Sequence, residues 1–165
     1  MKKALKVSLM VLIFFSFVVG SSGAEEFADV DRSALIERAL AVQSKSYAPY
    51  SRFNVAAAAL FDSGEIYTGV NVENSSFPAG TCAERTAIVH AVASGEKRLV
   101  AMAIVGGANG VNRDYCAPCG VCRQVMREFG NPREVLVVMA KSPDDYVEKT
   151  LEELLPMSFG PDNLK

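Results

Sequence analysis

The sequence predicts an α/β protein, a three-layer α/β/α sandwich around a mixed sheet of about five strands. Three observations carry that expectation. "RFNVAAAALF" and "EIYTGVNV" are strand-like runs joined by the turn sequence "DSGE", which makes a hairpin. "LVAMAIVGG" and "EVLVVMA" flank a stretch with helical apolar spacing, the strand–helix–strand order of a right-handed parallel crossover. The alanines of the first hairpin strand leave small side chains on both faces, so helices can approach closely from above and below.

The elements follow in order. "DRSALIERALAVQS" puts Leu35, Ile36, Ala39 and Leu40 on one face of a helix, with Asp31 or Ser33 as its N-cap. "SYAPYS" reads as a turn before the hairpin. Thr81 to Ala93 is apolar apart from Glu84, Arg85 and His90, which predicts a helix buried on most of its circumference. In the next helix, starting near Cys119, residues Cys122, Val125, Met126 and Phe129 fall at helical spacing. "KSPDDYVEKTLEELLP" offers an edge strand and a helix from Thr150 that stops at Pro156.

A chain of 165 residues, half of them hydrophobic, can bury one sizeable core, so a single domain over residues 25–165 is expected. Residues 1–24 are set apart. Lys2, Lys3 and Lys6, an apolar run from Val7 to Val19 and the small residues Ser22-Gly23-Ala24 have the pattern of a cleaved signal peptide. The apolar run is shorter than the roughly 20 residues a membrane-spanning helix needs. An exported protein, periplasmic or secreted, is therefore the expectation from the leader. Without the leader's three lysines the chain carries 14 basic against 19 acidic residues, formally −5, the reverse of a nucleic-acid binder.

The chemistry concentrates in "TCAERTA" and "PCGVC". Both place cysteine at a predicted helix N-terminus, where unpaired N–H groups and the helix dipole favour the thiolate that binds metal. Cys119 and Cys122 can clamp one ion from a single turn, and Cys82 from the neighbouring helix supplies a third ligand, leaving one tetrahedral position open. Arg85 and Arg123, each close in sequence to a ligand, are expected to offset the charge of three thiolates by hydrogen bonding to sulfur. Other readings of the parts exist. Thr81-x-x-Glu84 also fits a capping box, and Cys-x-x-Cys alone fits a redox dithiol or half a structural zinc site. Cys-x-Glu upstream of Pro-Cys-x-x-Cys matches the zinc-deaminase signature, with cysteine where many members have histidine.

From about Ser33 to the C-terminus the chain resembles the small, tetrameric cytidine deaminases. "NVENSSFPAGTCAERTAI", "PCGVCRQVMREF" and "ELLPMSFGPDNL" are similar to three motifs of that family, in its order. The resemblance implies hydrolytic deamination of cytidine and 2′-deoxycytidine to the uridines with release of ammonia, in pyrimidine salvage. It implies one zinc per chain on Cys82, Cys119 and Cys122, and Glu84 as the proton shuttle. It further implies that the Ala83 N–H binds the base, that Asn71 and Glu73 bind the ribose 3′-hydroxyl, and that Phe53 packs on the base. Phe159 would close a neighbouring subunit's site in a homotetramer. A blasticidin-type aminonucleoside deaminase shares the Cys-x-Glu and Pro-Cys-x-x-Cys motifs, and an exported non-catalytic zinc or redox module is the reading from a different class.

Two features depart from the family. Its members are normally cytoplasmic and lack a leader. Cys116 is an extra thiol, for which the alternatives are a spare residue, a redox clamp on Cys119 or a displaced ligand. Pro118 stiffens the backbone and hinders Cys116 from reaching a tetrahedral vertex, which favours the spare thiol. His90 lies eight residues past Cys82, more than two helical turns away, and is expected to be structural or surface.

Overall fold

The computed structural model describes residues 27–164; the expected signal peptide lies outside the described residues. Helix α1 (Arg32–Gln43) starts where Asp31 accepts a hydrogen bond from the Ala34 amide at 2.9 Å, so Asp31 and not Ser33 is the N-cap. The hairpin follows as β1 (Phe53–Phe61) and β2 (Ile66–Val70), with Gly64 at φ +88° in its turn. Then come α2 (Ala83–Ala93), β3 (Leu99–Ala108), α3 (Gly120–Phe129), β4 (Leu136–Ser142), β5 (Asp145–Thr150) and α4 (Leu151–Leu154). Thr150 caps α4 through a capping box with Glu153.

The five strands form one sheet in the order β2-β1-β3-β4-β5, antiparallel except for the β3–β4 pair. The parallel pair is the one whose connection contains α3, because a parallel return needs a crossover while an antiparallel one needs only a turn. Side chains then sort by the two-residue period of a strand. Ala57, Ala59 and Phe61 of β1, Met102 and Ile104 of β3, and Val137 and Met139 of β4 face α2 and α3. Their sequence neighbours Ala56, Ala58, Ala101, Ala103, Val105, Leu136, Val138 and Ala140 face α1. Both faces are covered, which is the three-layer sandwich expected.

Helix α2 departs from expectation in one respect. Its buried stripe is Ala83, Glu84, Ala87, Ile88 and Ala91, whereas Val89 is 66% and Val92 40% exposed. A helix packed on a flat sheet buries one face only, so the apolar residues on the other side are left open in the single chain. Gly69 of β2 brings the covered side close: a Cβ there would lie 2.5 Å from the Ala83 carbonyl oxygen and 2.9 Å from the Ala87 Cα.

Candidate metal centre and the cleft beside it

The N-termini of α2 and α3 meet. Cys82 is the N-cap of α2 and Cys119 the N-cap of α3, both with extended backbone and neither side chain occupied by a capping hydrogen bond, so both sulfurs remain available. Cys122 lies one turn into α3 and is buried. The Cys82 and Cys119 sulfurs are 3.9 Å apart, those of Cys119 and Cys122 3.5 Å, and all three lie within 4.8 Å of one another. Three sulfurs on a tetrahedron around zinc, each at about 2.3 Å, would be separated by about 3.8 Å, so the donor set and its spacing fit the ion.

The electrostatics are those of neighbouring sulfurs that share a proton. Cys82 is drawn down to about 5 by the hydrogen bond from Cys122 and, against burial, by the Arg85 guanidinium beside it. Cys122 moves the opposite way, because it holds the proton shared with Cys82 and is buried near Glu84. Metal binding releases such a proton. Arg85 also donates to the Gly80 carbonyl at 3.1 Å, which fixes it across the entrance to α2. Arg123 differs from expectation. Its hydrogen bonds run to the carbonyls of Pro118 at 2.8 Å and Leu154 at 2.7 Å, not to sulfur. One residue past Cys122 is about 100° around the helix, so its side chain leaves the ligand face and instead ties the cysteine loop to α4.

Glu84 sits in the first turn of α2, 4% exposed. Burial, reinforced by the negative charge of Cys82, raises its carboxyl above the usual range. The capping-box alternative fails on geometry: Cys82 and not Thr81 is the N-cap, and the Thr81 amide donates to Val72. The Ala83 N–H belongs to the first turn, where a helix supplies no internal acceptor.

A cavity of about 610 Å³ opens beside Cys82 and is lined by Asn71, Glu73, Tyr50, Phe77 and Arg85. Loop 71–73 is stitched to the start of α2 by paired hydrogen bonds between Val72 and Thr81, at 3.0 and 2.9 Å, and to Tyr47 by bonds from Tyr47 N to the Asn71 oxygen and from Glu73 N to the Tyr47 oxygen. Asn71 accepts from the Val55 amide at 2.9 Å and from the Ser46 hydroxyl, and donates to the Phe53 carbonyl at 2.9 Å, which among the described residues leaves one amide N–H for a ligand. One Glu73 oxygen accepts from the amides of Tyr50 and Ser51 at 2.9 and 3.2 Å. The Ser51 side chain and those amides hold the Glu73 carboxyl below its ordinary range, so it is ionised. Ser46, Tyr50 and Ser51 were not singled out in the sequence; the turn-like "SYAPYS" was their only signal.

Phe53 is 41% exposed and lines not this cavity but a second hollow of about 410 Å³ with Gly106, Tyr115 and Cys116; its carbonyl accepts from Asn71. Cys116 lies outside the three-sulfur cluster and over β3, where a Cβ on Gly106 would come within 2.7 Å of its sulfur. His90 is exposed, edge-on to Tyr67 at 5.2 Å, and away from the sulfurs. Phe159 is 60% exposed on the C-terminal tail and lines neither hollow.

Cysteine sulfurs from two helix N-termini, with a buried glutamate two residues past the first of them, are the arrangement by which zinc-dependent deaminases are recognised. The comparisons make the class specific. Residues 30–139 match the family model described as the cytidine and deoxycytidylate deaminase zinc-binding region, and the chain belongs to that family. It is 38% identical to the cytidine deaminase of Halalkalibacterium halodurans over 135 residues, 82% of this chain and 98% of that one. With the cytidine deaminase of Mycobacterium tuberculosis it shares 41% identity over 136 residues, 82% of this chain and 95% of the relative. Among solved structures, the cytidine deaminase of Burkholderia pseudomallei superposes with a TM-score of 0.69 at 43% identity, over 76% of this chain and 97% of that one.

Proposed function

We propose that the protein hydrolyses cytidine and 2′-deoxycytidine to uridine and 2′-deoxyuridine, releasing ammonia, as a zinc enzyme of pyrimidine salvage. The observation that carries the reading is the shared cavity: the thiolate of Cys82 and the ionised Glu73 open onto one hollow large enough for a nucleoside. Cys82, Cys119 and Cys122 would hold the zinc. When bound, that ion supplies a water acidified into the neutral range.

Glu84 would take the proton this water gives up and pass it to N3 as the C4–O bond forms. It would then take the second proton from the resulting C4 hydroxyl and deliver it to the amine, which leaves as ammonia as the C4–N bond breaks and the C4 carbonyl forms. Its burial suits both halves of the task, because a carboxyl raised above its ordinary range accepts a proton more readily than a solvated one. The Ala83 N–H meets the base edge, and the ring of Phe53 packs against the base from the neighbouring hollow. The Asn71 side-chain amide and the Glu73 carboxylate bind the ribose 3′-hydroxyl. A fixed carboxylate there repels a phosphate, which favours nucleosides over nucleotides.

Homotetramer assembly would cover Val89 and Val92 and bring Phe159 to a neighbouring cleft. The leader would deliver the enzyme outside the cytoplasm; fractionation of cells expressing the full chain tests that part.

The decisive test offers zinc-loaded mature protein cytidine, deoxycytidine, deoxycytidine monophosphate and blasticidin S, following ammonia and ultraviolet absorbance. Turnover of the two nucleosides is expected. Failure on both overturns the reading, and turnover of blasticidin S alone would replace it.

A further inference from the structure

The segment after α4 has no strand and only a short 3-10 turn over Pro161–Leu164, yet it is held firmly at one place. Gln124 of α3 donates its side-chain amide to the Phe159 carbonyl at 3.0 Å. One turn on, Arg127 is buried and reaches Asp162 at 3.2 Å. Gly160 is buried against that guanidinium, where a Cβ would stand 2.6 Å from Nε and 2.8 Å from Nη2. The turn closes on itself, with Gly160 N donating to Asn163 Oδ1 at 2.8 Å and Asn163 N to the Gly160 oxygen at 2.9 Å. The backbone from the Phe159 carbonyl to Asn163 is thus pinned while the Phe159 ring stands 60% exposed.

Stability alone accounts poorly for this arrangement. A buried guanidinium costs desolvation, its ion-pair partner Asp162 is 71% exposed, and Arg127 Nε has no hydrogen-bond partner among the described residues. An aliphatic side chain would fill the same space at lower cost. What arginine adds is a planar surface on which a residue without Cβ can lie, and so a single register for the tail.

We infer that Gln124 and Arg127 are positioning residues for Phe159, locking the tail on α3 so that the exposed ring meets a neighbouring subunit's substrate cleft in a fixed pose. The inference rests on the reading of Phe159 given under the proposed function. It couples two clefts, because the helix that aims Phe159 outward is the one that carries Cys119 and Cys122 for its own chain.

A double-mutant cycle tests it with zinc-loaded mature enzyme carrying Gln124→Leu, Arg127→Met, Phe159→Ala and the pairwise combinations. Gln124 is exposed, so its variant folds even if loss of the Arg127 charge does not permit folding. Gln124→Leu is expected to raise KM for cytidine about fivefold, the scale of one hydrogen bond's net contribution, with zinc content and kcat held. In the Phe159→Ala background it adds nothing.

Chymotryptic cleavage after Phe159 should accelerate in Gln124→Leu. Equal KM effects with and without Phe159, or unchanged cleavage, overturn the positioning role. An unchanged KM in Phe159→Ala itself, with faster cleavage in Gln124→Leu, instead overturns the assignment of Phe159 to a substrate cleft.

Discussion

Gly69 of β2 lies directly against Ala87 of α2, with the Ala87 Cα only 2.9 Å from where a Cβ would stand. The same missing Cβ lets the Ala83 carbonyl approach, so one glycine sets the height of the helix that carries Glu84 and is capped by Cys82. The opposing atoms are backbone and cannot step aside. Gly69→Ala is expected to cost about 1–3 kcal/mol of stability by overpacking, and to lower zinc occupancy and turnover together. Chemical denaturation and metal analysis of the purified variant check this.

Serine at Cys82, Cys119 or Cys122 should each abolish stoichiometric zinc, whereas Cys116→Ser should retain about one ion per chain. Burial, with Glu84 and Cys82 adding negative charge nearby, pushes the Cys116 thiol up to about 11. In zinc-loaded protein it should alkylate slowly at neutral pH and faster as pH climbs toward that value, because the thiolate is the reactive form. Iodoacetamide labelling followed by mass spectrometry reads the rate, and rapid labelling at neutral pH would contradict the assignment.

Glu84→Gln keeps the volume and removes the proton acceptor. Turnover should fall by about 10²–10⁴-fold with zinc retained. Retained activity in a variant with full metal content would remove Glu84 from the proton path.

Asn71→Ala should damage fold as well as binding. It removes the acceptor for the Val55 amide and the donor to the Phe53 carbonyl, which join β1 to loop 71–73. A loss of about 1–3 kcal/mol is expected from the stranded groups. Glu73→Gln, which can still accept from the Tyr50 and Ser51 amides, should fold normally and weaken nucleoside binding. Comparison of the unfolding free energies and the KM values of the two variants separates the effects.

Asp145 is gripped by Lys141 at 2.7 Å and by the Tyr115 hydroxyl at 2.6 Å. Those two hydrogen bonds, Lys141 first, hold its carboxyl below the ordinary value. A depressed carboxyl contributes stability above the unfolded-state pKa and loses it as pH falls through the lower folded value. Donating to Asp145 likewise raises Lys141 and Tyr115, so their share is complete below their ordinary values and disappears as pH rises through the folded ones. Asp145→Asn should therefore lower the melting temperature slightly at neutral pH, with an effect that shrinks progressively as pH falls below the ordinary aspartate value of about 3.9. Thermal melts across the pH range test both ends.

Much of the fold was legible because its signals are local. The alternation of Ala57, Ala59 and Phe61 predicts the face they share, Asp31 is a capping residue wherever a helix begins, and the strand–helix–strand run predicts the one parallel pair in the sheet. Helix α2 was legible only in part. Its apolar count predicted burial on most of its circumference, but a count cannot tell a face covered by the sheet from one left for another surface, and Val89 and Val92 lie on the second.

The sequence by itself determined the chemistry available: three thiols at two helix starts, one glutamate two residues from the first, and an amide and a carboxylate on the loop before them. Spacing along a helix suffices for that, since both helix N-termini favour thiolate wherever they lie. Only the tertiary structure decided which of these groups meet. It placed Cys82 3.9 Å from Cys119 across 37 residues of chain, buried Glu84 where Thr81-x-x-Glu84 taken alone also fits a capping box, and left Cys116 over Gly106. It also turned Arg123 toward backbone carbonyls and Arg85 toward sulfur. Such outcomes depend on the direction a side chain leaves its element and on what a distant strand presents there, and neither is encoded in the residues adjacent to it.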